Sequence, residues 1–222
     1  MANISPIRLA PDLTDQVYQR LLNAICEGDL APGARLTQEE LAATLDVSRQ
    51  PVLQALRMLK KDGFVVDTGR RGLMVLPLGV QTISRIYEVR SVLDGLGARL
   101  AALAKAKIDT AILAAGRTAA KGSRIGAMID ADMRFHNLIY SASGNPLIAE
   151  TANHHWQHIR RAMGAVLQEA RVRDSVWDEH EAILVSIARG DAERAERLAR
   201  EHGEEAGHHL SNELRKQLRE VS

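Results

Sequence analysis

Four side chains that can bind a metal ion lie in the C-terminal half of this chain, each on the apolar side of a predicted helix. Asp132 and His136 are four residues apart, so both side chains lie on one face of their helix. His180 and His202 lie in two later helices, each in register with apolar residues. A carboxylate directed into a core is costly unless it is paired or binds a metal. These four residues are therefore candidates for one ligand set inside a helical core.

Three imidazoles and one carboxylate suit a divalent transition metal and leave positions for water or another ligand. The set is compatible with Zn²⁺, Ni²⁺, Mn²⁺ or Fe²⁺, and the ligand types alone do not choose among them. The alternative is a hydrogen-bonded pair of Asp132 and His136, with His180 and His202 as buried histidines that bind no metal. The single cysteine, Cys26, excludes a multi-cysteine zinc site and is expected in the core.

Arg90 is a second candidate for binding, because it occupies the apolar stripe of the first predicted helix of this region. Its guanidinium either enters the core or extends along the helix to water. Placed opposite a metal ion, it could bind an organic carboxylate through two hydrogen bonds. The alternative role is an ion pair with Asp94, its i+4 neighbour. His208 and His209, within the last predicted helix, are expected at the surface.

The elements that must position these side chains are helices. Hydrophobic periodicity and short turn signals predict six helical stretches, which connect through short loops and favour an all-α bundle. They cover residues 80–106, 109–121, 124–142, 146–171, 174–189 and 191–219.

The first part of the chain has the pattern of a helix-turn-helix. Thr37 and Glu40 form a capping box that opens a short helix. Ser48 is the predicted N-cap of a further helix, 49–61, with Pro51 in its first turn. Two short helices joined by a tight turn bind DNA in many proteins, with the second helix in the major groove.

A β-hairpin follows these helices. Strands are predicted over 64–67 and 73–78, and the tip between them carries Arg70 and Arg71 between two glycines. This hairpin has the pattern of a DNA-binding wing, so the fold class is mostly α, with a winged helix-turn-helix before a helical bundle.

The distribution of charge supports DNA binding better than the total does. The chain of 222 residues has a formal net charge of +1. Residues 1–47 hold 3 basic and 7 acidic groups, net −4, whereas residues 48–79 hold 6 basic and 2 acidic groups, net +4. The predicted recognition helix and wing therefore form the positive surface that phosphate binding requires.

Composition sets the remaining bounds. With 45% hydrophobic and 26% charged residues the chain is of globular rather than disordered type, and its length predicts two domains, 1–79 and 80–222. No run is apolar or long enough for a signal peptide or a membrane span, which favours a cytoplasmic protein. An aromatic content of 3% argues against base-stacking platforms for single strands.

The N-terminal part resembles the winged helix of GntR-type bacterial transcription regulators. The similarity lies in residues 32–36, in residues 41–52 and in the Arg-Arg-Gly wing. It implies operator contacts from Arg35, Ser48, Arg49, Gln50, Gly69, Arg70, Arg71 and Gly72.

Two positions depart from the pattern of this family. Leu53 and Gln54 stand where Arg-Glu is usual, and Glu39 stands where an Arg is frequent. These departures imply a different operator sequence, in which Gln54 is a candidate for reading adenine.

The C-terminal part resembles the FCD domain of the FadR subgroup of GntR regulators. The similarity lies in the Asp-Met-Arg-Phe-His segment, the Ser-Gly-Asn-Pro turn after it, and the two later histidines. It implies that Asp132, His136, His180 and His202 bind a divalent metal, with Zn²⁺ as first choice, and that Arg90 lies in an effector pocket. Six helices rather than seven would be similar to the shorter, VanR-type branch.

These features together predict a homodimeric, metabolite-responsive repressor that binds double-stranded operator DNA and a small organic carboxylate, and that is not an enzyme or a membrane protein. One alternative is a regulator whose metal is purely structural or is itself the signal. Another is a metal-dependent hydrolase with the winged helix as a docking module. No general base or oxyanion donor is evident near the ligands, although Glu179 and Glu181 flank His180.

Overall fold

The chain divides into two units, Met1–Leu78 and Gly79–Ser222, in a computed structural model that describes residues 13–69, 72–167 and 175–220. The first unit contains three helices and three short strands in its described residues. In chain order they are α1 (Leu13–Glu27), β1 (Arg35–Leu36), α2 (Gln38–Leu45), α3 (Arg49–Lys61), β2 (Val65–Asp67) and β3 (Leu73–Val75).

The two helices of the helix-turn-helix begin at the predicted caps. The Thr37 hydroxyl oxygen accepts from the Glu40 backbone N–H at 3.3 Å, and the hydroxyl donates to the Glu40 carboxylate at 2.7 Å. Helix α2 ends at Asp46, which adopts a left-handed conformation with φ of 52°. Ser48 occupies the N-cap of α3 but makes no capping hydrogen bond with its side chain, so its exposed hydroxyl remains available for other contacts.

The wing is part of a three-stranded antiparallel sheet of order β1-β3-β2. The sequence did not predict β1, because two residues are too short to show the alternation of a strand. The third strand ends at Val75 rather than at residue 78, since Leu76 makes the last bond to Phe64 and Pro77 has no N–H to donate. Arg70 and Arg71 lie outside the described residues.

The core of the first unit fixes the recognition helix. Val17, Leu21 and Ile25 of α1 pack with Val52 and Leu56 of α3, and all five side chains are almost fully buried. Burial of this kind stabilises by about 1.5–3 kcal/mol for each large apolar side chain. Helix α3 therefore presents its remaining, polar face on a rigid support.

The second unit contains seven helices in its described residues. They are α4 (Val80–Leu103), α5 (Ala111–Lys121), α6 (Ile125–Ala142), α7 (Pro146–His154), α8 (Trp156–Val166), α9 (Val176–Arg189) and α10 (Ala192–Glu220). The prediction of a single helix over 146–171 is therefore wrong, because α7 and α8 lie in this range. The similarity to the shorter branch that was based on six helices is wrong for the same reason. Within the described ranges, no helix combines the length and apolar character needed to cross a membrane.

The break between α7 and α8 lies at His155. There the backbone hydrogen bonds join residues three apart instead of four. The His155 N–H donates to the Ala152 carbonyl at 3.3 Å, and the His158 N–H donates to the His155 carbonyl at 3.1 Å. No proline or glycine marks this position. The next residue, Trp156, is buried and has the Arg90 guanidinium 4.8 Å above its ring. A tertiary contact rather than a local breaker therefore accompanies the change of helix.

Helices α4 and α10 run antiparallel in close contact, which glycines permit. A Cβ at Gly207 would lie 2.6 Å from the Cβ of Tyr87, and one at Gly203 would lie 3.1 Å from Ser91 and 3.3 Å from the Asp94 carboxylate. A side chain at Gly207 would force the helices apart, and one at Gly203 would require its neighbours to shift by a few tenths of an ångström. This approach brings α10, with its histidine, against the charged residues of α4.

Candidate functional site

Three helices bring together the four predicted metal ligands. Asp132 and His136 come from α6, His180 from α9 and His202 from α10, and one ligand atom of each lies within 4.8 Å of the others. The Nε2 atoms of His180 and His202 are 3.1 Å apart. Asp132 Oδ1 lies 3.6 Å from His180 Nε2 and 3.9 Å from His136 Nε2.

The separations of 3.1, 3.6 and 3.9 Å between pairs of these atoms fit a metal ion. Ligands bound at about 2.0–2.2 Å from one ion lie roughly 3–4 Å from each other. The Nε2 atom of His136 is buried and has no hydrogen-bond partner in the described part of the chain. Burial, with the nearby Arg90 cation, also lowers the pKa of His136, which favours the neutral imidazole that metals require. The residues therefore suit a divalent transition metal.

Asp94 orients His136 from the opposite side. Its Oδ1 lies 3.1 Å from His136 Nδ1 and also accepts a hydrogen bond from the Tyr140 hydroxyl. Its Oδ2 lies 3.4 Å from Arg90 Nε. Burial alone would raise the pKa of Asp94, but His136 and Arg90 favour the carboxylate and hold the pKa below its ordinary value. Asp94 thus fixes the ring so that Nε2 faces the ligand set.

Glu179 orients a second histidine in the same way. Its carboxylate lies 2.7 Å from His202 Nδ1, which leaves Nε2 directed at the other ligands. In the sequence, Glu179 is apparent only as a residue that flanks His180, and Asp94 only as the i+4 neighbour of Arg90. Each of these carboxylates contacts a histidine of another helix, 42 and 23 residues away in the chain, which no local pattern indicates.

Aromatic packing holds the third histidine. His180 is fully buried, with its ring stacked on Phe135 at 3.7 Å between centroids and edge-on to Trp177 at 4.6 Å. Trp177 in turn lies on α5 at Gly116, where any Cβ would overlap the indole. Gly116 is therefore needed for the position of Trp177 and, through it, of His180.

The Arg90 side chain enters the core, which is one of the two orientations expected from the sequence. It also forms the ion pair with Asp94 that was the alternative role. Its side chain is 5% exposed, with Asp132 Oδ2 3.9 Å from its Nη2. The guanidinium lies 4.8 Å from the Trp156 ring and 5.4 Å from the Tyr87 ring. A buried cation held by aromatic faces and two carboxylates is rigidly oriented.

Arg90 and three of the ligand residues line one cavity of about 90 Å³. Asp132, His136 and His202 form its polar end, and much of its remaining wall is apolar. His209 also lines this cavity and is half-buried, so the expectation that it lies at the surface is wrong. His208 is exposed as expected. The error arose because adjacent residues of a helix point about 100° apart, which places only one of the two inward.

In the first unit, the start of α3 presents the residues expected to contact DNA. Ser48, Arg49 and Gln50 are exposed, and Gln54, one turn further on, is half-buried. Because α3 is anchored by its apolar face, these side chains project from a fixed helix.

The wing lies next to another predicted contact. Gly72 is adjacent to Arg35, since a Cβ there would lie 3.1 Å from Arg35 Nε. Gly69, at the described edge of the tip, is exposed and has a φ of +75°, which favours glycine. A groove between α2, α3 and the wing is lined by Arg49, Gly72 and other residues of these elements. Two of the predicted contacts, Arg49 and Gly72, thus line one groove.

Carboxylates on this surface pair with two of its cations. Glu39 forms an ion pair with Arg49, and Asp67 forms one with Lys60. All four side chains are at least half exposed, so each pair stabilises the fold by no more than about 1 kcal/mol. The pairs are therefore easily opened by a competing phosphate or base.

A helix-turn-helix with a wing, followed by a separate helical unit, defines a class of DNA-binding transcription regulators. Residues 13–75 match the family "Bacterial regulatory proteins, gntR family", and residues 85–205 match the FCD domain. The chain belongs to the GntR family of regulators with an FCD domain.

Individual relatives agree with this assignment. The HTH-type transcriptional regulator YdhC of Bacillus subtilis (strain 168) is 25% identical over 209 residues, covering 90% of this chain and 91% of YdhC. The Nta operon transcriptional regulator of Aminobacter aminovorans is 30% identical over 149 residues, covering 64% and 69%. A GntR regulator from Rhodococcus sp. RHA1 superposes with a TM-score of 0.72 at 26% identity, covering 89% and 96%. These proteins are transcription regulators of a non-enzymatic family, which excludes the hydrolase alternative.

Proposed function

We propose that the protein is a metabolite-responsive transcriptional repressor that binds operator DNA with its first unit and a small organic acid with its second. The observation that carries this proposal is the shared cavity of Arg90 and the metal-ligand set. A guanidinium recognises a carboxylate through two parallel hydrogen bonds, and an ion with an open position binds it from another side. A cavity of about 90 Å³ suits a small organic acid.

The proposed metal ligands are Asp132, His136, His180 and His202, with Zn²⁺ as first choice and Ni²⁺, Mn²⁺ or Fe²⁺ as alternatives. A bound ion would supply a Lewis-acidic site for a carboxylate oxygen. The chain itself keeps the histidines oriented through buried and half-buried carboxylates, and Arg90 provides the fixed positive charge.

The proposed DNA interface consists of the start of α3, the strand before α2 and the wing. Its positive residues would release counterions from phosphates, and its exposed polar side chains at the start of α3 would contact base edges. The residues are Arg35, Ser48, Arg49, Gln50, Gln54, Gly69, Arg70, Arg71 and Gly72.

We further propose that the protein acts as a homodimer in the cytoplasm, where its DNA lies. Exposed apolar side chains on α4 and α7 support self-association, because Val89, Val92, Leu103 and Leu147 are each half or more exposed. A two-fold dimer would place two recognition helices on the half-sites of a pseudo-palindromic operator. Light scattering at known protein concentration gives the oligomeric state.

The effector can change operator binding only through different affinities for two arrangements of the dimer. We expect a carboxylate bound at Arg90 to favour the arrangement that releases DNA. Release of the operator on binding would relieve repression.

An operator-binding assay with metal and carboxylates titrated separately tests this function. We expect the metal-loaded protein to bind its operator and a small carboxylate to release it, whereas an Arg90→Met variant should bind operator without responding to the acid. Release by metal alone would show that the metal is the signal. A metal that stabilises the fold, with no response to any acid, would show a structural role, which the full burial of His180 also favours.

A further inference from the structure

The cavity of the second unit is polar at more than one place. Arg90 and three of the ligand residues, Asp132, His136 and His202, form one polar region, and His209 of α10 forms another. His209 follows His202 by seven residues, which is two helical turns, or about 10 Å along the helix axis. Side chains such as Met128, Met163 and Val176 contribute apolar wall to the same cavity.

The ring of His209 carries a polar atom that the described residues do not satisfy. Its Nε2 is buried and has no hydrogen-bond partner among them. A buried polar atom left without a partner destabilises the state that contains it, and a ligand group that supplies the bond removes this cost. His208 provides the contrast, because its side chain is exposed on the other side of the helix.

We propose that His209 is a specificity-determining residue, which binds the second polar group of a small bifunctional organic acid such as a hydroxy acid or a dicarboxylate. This inference rests on the proposed function, in which a carboxylate binds at Arg90 and the metal ligands. Because His209 and His202 lie at different positions along α10 and line one cavity, a ligand that contacts both regions needs a polar group at each end, and a cavity of about 90 Å³ suits a short chain. A monocarboxylate of the same length leaves Nε2 unsatisfied and therefore binds more weakly.

Three four-carbon acids test this selectivity: butanoate, 4-hydroxybutanoate and butanedioate. Calorimetric titration of the metal-loaded full-length protein should show one or both bifunctional acids binding about 5- to 100-fold more tightly than butanoate. Elemental analysis after each titration should show unchanged metal content, which establishes that the acid bound the protein rather than removing the metal.

The variants are His209→Leu, with His208→Leu as the matched control. We expect His209→Leu to lose the preference for the bifunctional acid over butanoate, while His208→Leu keeps it. If the leucine variant does not fold, His209→Asn takes its place. It retains a smaller hydrogen-bonding group and should therefore keep only part of the preference for the bifunctional acid.

Two results are distinguishable. If the wild type binds butanoate as tightly as both bifunctional acids, or if His209→Leu retains the preference, the role of His209 is wrong while the carboxylate site stands. If the metal-loaded wild type binds none of the acids in a wider panel of small carboxylates, the proposed function itself fails.

Discussion

Replacement of Asp94 by Asn removes one charge from the centre of the second unit while keeping the shape of the side chain. The carboxylate is 2% exposed and contacts His136 Nδ1 at 3.1 Å, Arg90 Nε at 3.4 Å and the Tyr140 hydroxyl. An amide has one oxygen acceptor and presents N–H groups where the carboxylate accepted. Asp94→Asn therefore removes the buried counter-ion of Arg90 and replaces the charged acceptor that orients His136 with a weaker, neutral one.

The structure allows both losses to be sized. Removing one member of a buried ion pair destabilises a protein by about 3–5 kcal/mol. Arg90 keeps Asp132 at 3.9 Å and two aromatic faces, so we expect the lower end, about 3 kcal/mol. Loss of the group that orients a metal-binding histidine weakens metal binding about 10- to 100-fold. At saturating metal this corresponds to about 1.4–2.7 kcal/mol less stabilisation by the metal.

Urea unfolding with and without metal separates the two effects. The metal-free proteins report the loss of the ion pair, and the difference between metal-loaded and metal-free stability reports the orientation of His136. Tyr140→Phe is the matched control, since it removes one hydrogen bond from the same carboxylate but leaves its charge. We expect that control to lose about 1 kcal/mol and to keep most of its metal affinity.

An equal loss of free energy by Asp94→Asn with and without metal would refute this prediction, because Asp94 would then have no role in holding His136 for the ion. A metal-free variant as stable as the wild type would contradict the role of the ion pair with Arg90.

Other predictions concern both units. Arg49→Ala should weaken operator binding by about 1–3 kcal/mol in fluorescence anisotropy if Arg49 contacts a base, and unchanged binding would exclude that contact. Glu39→Gln should free Arg49 for a phosphate, so non-specific DNA binding should tighten. The slope of log K against log salt should steepen by about 0.9, and an unaltered slope would argue against a phosphate contact by Arg49. Gly116→Ala should destabilise the protein by about 1–3 kcal/mol, since its methyl group overlaps Trp177, and a wild-type melting temperature would contradict this packing. Glu179→Gln should weaken metal binding less than Asp94→Asn does, because the 24% exposure of Glu179 lets water replace it; metal competition titrations compare the two.

The helix-turn-helix and the four metal-ligand candidates were accessible from the sequence because their signals are local. Thr37 and Glu40 mark a helix start through two neighbouring groups, and the four-residue spacing of Asp132 and His136 places them on one face whatever surrounds the helix. His180 and His202 each lie in register with the apolar residues of their own helix, which was enough to predict that both side chains face the core.

Features that depend on distant residues were not accessible in the same way. Strand β1 is a two-residue segment stabilised only by pairing with β3. The break before Trp156 has no local breaker, and the ring contacts Arg90, which is remote in sequence. The role of Asp94 in orienting His136 depends on distant residues in the same way, because the two residues are 42 positions apart in the chain.

By itself, the sequence determined the types of the elements and the chemistry available to them: a positive reading helix with a wing, and a buried set of one carboxylate and three imidazoles. Only the tertiary structure decided which groups act together, because that depends on how closely the helices approach. The glycines of α10 let it lie against α4, and this contact accompanies the cavity that joins Arg90, the ligand set and His209. Periodicity assigns a side chain to a face, whereas distances between faces arise from packing of the whole core.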